Sequence, residues 1–288
     1  MTPPLRFGYG TNGFANHRLA DALAVIAGLG YEGVALTLDA GHLDPFRPDL
    51  PQQVAAVANR LADLRLGVVV ETGARYLLDP WRKHEPTLLS DEGRELRLGF
   101  LALAVDVAAD LGAEAVSFWS GVKPAGLADD AAWARLVDGS ATLVDAAAVR
   151  GVRLGLEPEP GMLVETIADF ERLAAELGDP PGLGLTLDIG HCRCIEPRDV
   201  PDCVRQAGAR LVNVQIDDMR RGVHEHLELG HGEIDFPPVL AALADAGYGG
   251  LVGVELPRHS HAAPTVAERS IRFLREAAAR AVATPTGA

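Results

Sequence analysis

A chain of 288 residues, 48% of them hydrophobic, can bury one barrel-sized core or two smaller ones. Its 26 basic and 40 acidic residues leave a formal charge of −14, which repels nucleic-acid phosphates unless a basic patch offsets it, and no such patch stands in the sequence. No apolar run approaches the roughly 20 residues of a membrane span, "MTPPLRFGYG" lacks a secretory pattern, and three cysteines are too few for a disulfide framework, so a cytoplasmic protein is expected, with no nucleic-acid or membrane partner.

In chain order, short apolar runs alternate with longer Ala- and Leu-rich segments of helical spacing. "LRFGYG" leads into "HRLADALAVIAGLG", and "EGVALTLD" into "PQQVAAVANRLADLRLG". "LGVVVETG", carrying Glu71, precedes "EGRELRLGFLALAVDVAADLG", and "AEAVSFWSG", carrying Trp119, precedes "DAAWARLVDGSATLVDAAAVRG". "VRLGLEPEP" comes before "TIADFERLAAELG"; "GLGLTLDIGH", "RLVNVQIDD" and "GLVGVELPRH" complete the set. Most of the helical segments close on a Gly suited to a C-cap. Strands buried on both faces read as continuous apolar runs, as these do, and eight strand–helix units predict a (β/α)8 TIM barrel. The competing architecture, an open doubly wound sheet, would want a G-x-G-x-x-G turn after the first strand, and none is there. Residues 1–282 are read as a single barrel domain and 283–288 as a disordered tail.

In such a barrel the strand ends and the loops after them form the active face. Strands five to eight end in or near Glu157, Asp188, Gln215 and Glu255. Three neighbouring buried carboxylates must be protonated, paired with arginines or gathered around a cation. Arg193, Arg221 and Arg258 are the available arginines, and with them the carboxylates would only cap the barrel in an ion-pair network. That leaves Gln215 without a role, whereas its amide oxygen could ligate a metal. An oxygen-rich set suits Mn2+ best, then Mg2+, with Co2+ or Zn2+ as further options. Cys192 and Cys194 in "HCRC" lack a second Cys pair for zinc and are expected to pack in the core or form a reactive thiol.

The stretches "GYEGVALTLD", "LGLEPEP", "TLDIGH", "VQIDDMRRGVHEHLELGHGEIDF" and "GVELP" resemble the sugar phosphate isomerase/epimerase group of the xylose isomerase-like barrels, along nearly the whole chain. The resemblance implies a metal held by Glu157, Asp188, Gln215 and Glu255, with Gln in place of the His that most ketose epimerases of the group carry on strand seven. The hydroxypyruvate isomerase branch is similar in having Gln there. The resemblance also implies substrate contacts from His191 and Arg221. Glu159 competes with Glu157 for its role. His224 and His226 are read as lid residues or ligands of a second metal, His226 also as a substrate contact, and Glu71, His17, Asn12 and Trp119 as lining the mouth.

The expected chemistry is proton transfer by Glu157 and Glu255 on a small α-hydroxycarbonyl, sugar or polyol, giving isomerisation or epimerisation. Dehydration of a keto-inositol on the same site and a non-catalytic sugar-binding barrel are the alternatives. DNA cleavage of the endonuclease IV kind would need further histidines on strands three and four, where Glu71 and Trp119 stand. A phosphorylated substrate is not favoured, because Glu228, Glu233 and Asp235 flank the glycines of "ELGHGEID". A homodimer is in keeping with the group.

Overall fold

A computed structural model describes residues 4–283. Eight parallel strands close into a barrel in the order β1-β10-β7-β6-β5-β4-β3-β2. They are β1 (Arg6–Gly10), β2 (Gly33–Thr37), β3 (Gly67–Glu71), β4 (Val116–Trp119), β5 (Leu154–Glu157), β6 (Leu183–Asp188), β7 (Leu211–Ile216) and β10 (Leu251–Val254). A separate antiparallel hairpin, β8 (Asp218–Arg220) and β9 (Val223–Leu227), follows β7 directly. The barrel and each of its eight strands stand where the sequence places them; the hairpin inside "DDMRRGVHEHLEL" was not expected.

The helices are α1 (Leu19–Gly28), α2 (Leu50–Leu64), α3 (Arg94–Leu111), α4 (Asp129–Arg150), α5 (Ile167–Glu176), α6 (Ile189–Ile195), α7 (Val200–Ala207), α8 (Phe236–Asp245) and α9 (Ala263–Ala283). Gly112 and Gly151 end α3 and α4 in the left-handed conformation at φ 64° and 66°, where a Cβ would be strained. At α2 that conformation falls instead on Arg65, at φ 56°. Thr166 and Asp169 close a capping box at the start of α5, which satisfies backbone N–H groups that the first turn leaves orphaned. The expected tail lies outside the described residues from 284 onward. No helix among the described residues is long and apolar enough to cross a membrane.

The strands are short and buried along their length, which explains their unbroken apolar character. Their packing is close: a Cβ at Gly155 would lie 2.3 Å from Thr186 Oγ1. Register fixes the polar ends side by side, since Trp119 pairs with Glu157, Asp188 with Gln215, and Gln215 with Gly253. A parallel sheet with all strand ends at one rim thus carries the sequence pattern directly into a ring of side chains.

Candidate metal and substrate site

The carboxylates gather because each terminates or directly follows a strand. Glu71 ends β3, Glu157 ends β5 and Asp188 ends β6. Glu255 follows β10, its N–H donating to Ile216 O at 3.1 Å. Asp188 also begins α6, where its Oδ1 accepts the backbone N–H of His191 at 2.8 Å. That bond fixes one carboxylate oxygen and leaves the other, Oδ2, buried without a hydrogen-bond partner. Gln215 Oε1 is likewise buried and unpartnered.

These residues surround a cavity of about 490 Å³ at the C-terminal mouth of the barrel, a size suited to a small ligand. Glu71, Trp119, Glu157, His191, Gln215, His226 and Glu255 all line it. Asp188 lies just behind: one ligand atom from each of Glu157, Asp188 and His191 falls within 4.8 Å of the others, and the same holds for Asp188, His226 and Glu255. A larger hollow, about 820 Å³, opens at the other end of the barrel beside Glu114, Arg153, Asp179 and Tyr248. It lies away from the strand ends, at the face that ordinarily serves stability.

Burial dominates the electrostatics. It pushes the Glu255 and Glu71 carboxyls up to about 8, with neighbouring carboxylates adding to the rise and His226 opposing it at Glu255. Glu157 is raised well above the usual carboxylate range by burial and then by the charge of Glu255, and Glu159 reaches about 7. Burial holds the His191 imidazole down to about 4. None of the three arginines that could have neutralised the ring does so. Arg193 pairs with Glu233, Arg221 donates to the backbone carbonyls of Arg193 and Glu196, and Arg258, which lines the cavity, forms no ion pair among the described residues. The ion-pair reading of the strand ends therefore fails on geometry.

The donor set fits a divalent cation. Buried carboxyls with raised pKa values and no arginine or lysine partner among the described residues, and two orphaned oxygens, on Asp188 and Gln215, are groups whose burial a dication would compensate. All three cysteines are buried free thiols, and none joins a metal-capable group among the described residues.

Two expected residues fall elsewhere. Arg221 is exposed and tied to backbone carbonyls at the end of α6, outside the cavity lining. His17 packs on Phe14, with its carbonyl accepting from His42, and does not line the mouth. Asn12 does, and its Nδ2 donates to Glu255 Oε1. Sequence reasoning missed Lys83, His84 and Met162, which enter from irregular loops, although Glu159 was visible in "EPEP". The glycines of "ELGHGEID" wrap a carboxylate rather than a phosphate: Asp218 accepts the N–H groups of Gly230, Gly232 and Ile234.

Residues 23–277 match the model of the xylose isomerase-like TIM barrel family. A 2-oxo-tetronate isomerase of Cupriavidus necator is 27% identical over 181 residues, covering 61% of this chain and 67% of that protein. An inosose dehydratase of Erwinia tasmaniensis is 28% identical over 145 residues, covering 44% of this chain and 48% of that one, so the match spans about half of the dehydratase. The crystal structure of 3-keto-D-glucoside 4-epimerase, YcjR, from E. coli superposes with a TM-score of 0.77 at 18% identity, covering 94% of this chain and 99% of its own. That last likeness is one of fold.

Proposed function

This chain belongs to the xylose isomerase-like TIM barrel family, and from that premise we propose that it is a divalent-metal-dependent isomerase or epimerase of a sugar, polyol or small α-hydroxycarbonyl compound. The observation that carries the reading is the ring of buried strand-end carboxylates with no arginine or lysine paired to it among the described residues, together with the orphaned Gln215 Oε1 and Asp188 Oδ2.

Glu157, Asp188, Gln215 and Glu255 would hold the cation, of which Mn2+ suits this oxygen set best. When bound, it supplies positive charge against the substrate's hydroxyl and carbonyl oxygens. Glu157 and Glu255 perform the proton transfers. One carboxylate takes the proton from the carbon beside the carbonyl, and the electron pair moves onto the carbonyl oxygen as an enediolate forms. Return of a proton to the opposite face of that carbon gives an epimer; return to the former carbonyl carbon, with loss of the hydroxyl proton, gives the aldose–ketose isomer. Asn12 holds Oε1 of Glu255 and so orients its other oxygen. Trp119, His191 and His226 form walls that confine the substrate.

The test is incubation of the metal-loaded protein in D2O with ketoses, inososes, 2-oxo-tetronate and hydroxypyruvate. Solvent deuterium at the carbon beside the carbonyl, absent from Glu157→Gln and Glu255→Gln, supports the reading; turnover without exchange in any substrate removes it. A second reading, dehydration of a keto-inositol, is favoured by the inosose dehydratase similarity. It shares the first proton transfer and then expels hydroxide, so a product lighter by one water identifies it.

A further inference from the structure

The cavity is charged differently at its two depths. Glu71 and Glu157 are buried where β3 and β5 end, and Glu255 stands just past β10. Lys83 and Arg258 line the same cavity from the exposed segments after β3 and β10, and neither side chain has a hydrogen-bond or ion-pair partner among the described residues. Arg75 lines it too, but its guanidinium is taken by Asp39 Oδ2 at 2.8 Å. In a chain of formal charge −14, carboxylates to pair with are plentiful. These two cations are nonetheless left facing the cavity.

The wall beside Lys83 is built with strain and with a buried charge. His84 takes the left-handed conformation at φ 68° and Ala74 at φ 47°, a costly backbone for residues with a Cβ and one that recurs where a ligand must be met. His84 Nδ1 donates to the Gly73 carbonyl at 2.7 Å, and its ring stands edge-on to Trp119 with centroids 5.8 Å apart. Arg97 stacks on that same indole, its guanidinium carbon 4.0 Å from the ring centroid. Arg97 is fully buried; Nη2 donates to Thr72 O at 3.0 Å, while Nε and Nη1 have no partner. Burial lowers it only to about 9, so the charge persists at neutral pH, uncompensated by any carboxylate in contact. Burial first, and then the charges of Lys83, Arg97 and Arg75, hold the His84 imidazole down to about 4, as a positive local field would.

We propose that the substrate is an acid, whose carboxylate is held at the cavity rim by Lys83 and Arg258, beside the wall that Trp119, His84 and the buried Arg97 make electropositive. That its other end is an α-hydroxycarbonyl lying against the strand-end oxygens rests on the proposed function. The carboxylate end rests on the cations alone. A cavity of about 490 Å³ has room for a small sugar acid placed this way. A phosphate would want a cradle of backbone N–H groups, and the glycine loop after β9 is spent on Asp218.

The test is calorimetric titration of the Mn2+-saturated full chain with D-fructose and D-tagatose, with their terminal carboxylates D-fructuronate and D-tagaturonate, and with D-fructose 6-phosphate. At least one acid is expected to bind roughly 10-fold or more tightly than its parent ketose, the worth of a charge-assisted hydrogen bond. That ratio should fall toward one in the double variant Lys83→Gln, Arg258→Gln and should narrow as salt is raised. Both side chains are exposed, so the double variant is expected to fold, and circular dichroism checks it. Equal affinity for acid and ketose, a preference that survives in the double variant, or binding of none of the five overturns the proposal. Tighter binding of the phosphate than of either acid overturns the carboxylate assignment. Failure of the proposed function reads differently: the acids are then preferred, but solvent deuterium enters none of the substrates.

Discussion

Asn12 Nδ2 donates to Glu255 Oε1 across 2.9 Å, joining the turn after the first barrel strand to the carboxylate that follows the last. The bond closes the ring of strand ends at the seam between β1 and β10 and fixes the rotamer of a carboxylate that must otherwise orient itself. Asn12→Ala is expected to lower turnover roughly 10- to 100-fold by loosening Glu255. The same change should cost about 1 kcal/mol of stability. Steady-state kinetics beside a thermal melt separates the two effects.

Glu157→Gln and Glu255→Gln keep the shape and remove the proton acceptor. Each is expected to lower kcat roughly 100- to 10,000-fold. Neither should lower the melting temperature of the metal-free protein, because burial raises both carboxyls and so disfavours the charge that the neutral amide removes. Near-normal activity in both variants would refute the assigned roles.

The metal-free protein should lose stability as pH rises from 6.5 to 8. Glu71 and Glu255 have folded pKa values near 8, above their unfolded values, so the folded state binds more protons in that window and their contribution is lost as pH climbs through it. The lowered His191 acts in the opposite sense only below its ordinary value, outside this range. Melting curves across the window, with and without a saturating dication, check this. The cation should flatten the slope, and its binding should release protons, which calorimetry in buffers of different ionisation enthalpy detects.

Much of this was legible in the sequence. A strand buried on both faces cannot disguise itself as amphipathic, and a polar residue at its end stands out, so the strand-end places of Glu157, Asp188, Gln215 and Glu255 could be read from position alone. Arg221 could not be placed, because a long side chain in a charged loop takes whichever carbonyl acceptor the fold brings near, and α6 brings two. Lys83 and His84 sit in an irregular stretch between β3 and α3 with no periodicity to give them away. The contact of Asp217 with His226 emerged only with β9, since nothing local in "QIDD" says that one aspartate will face His226 while the next gathers a loop.

That second aspartate gives a prediction of its own. Asp218 accepts three backbone N–H groups from the segment after β9, and a Cβ at Gly232 would stand 2.2 Å from its Oδ1. Asp218→Ala should destabilise the protein by roughly 3 kcal/mol, since bonds to a charged acceptor are lost together. Hydrogen exchange should then rise at Gly230, Gly232 and Ile234 and stay unchanged at β5 and β6.

The central claim is that strand-end oxygens cage a hard dication with Gln215 among the donors. Calorimetric titration of chelator-stripped protein with Mn2+ tests it most directly, in wild type and Gln215→Leu. The account predicts saturable binding in wild type, weakened roughly 10- to 100-fold or more when the amide oxygen is removed. Equal affinity in the two proteins, or no Mn2+ binding in wild type, would contradict it.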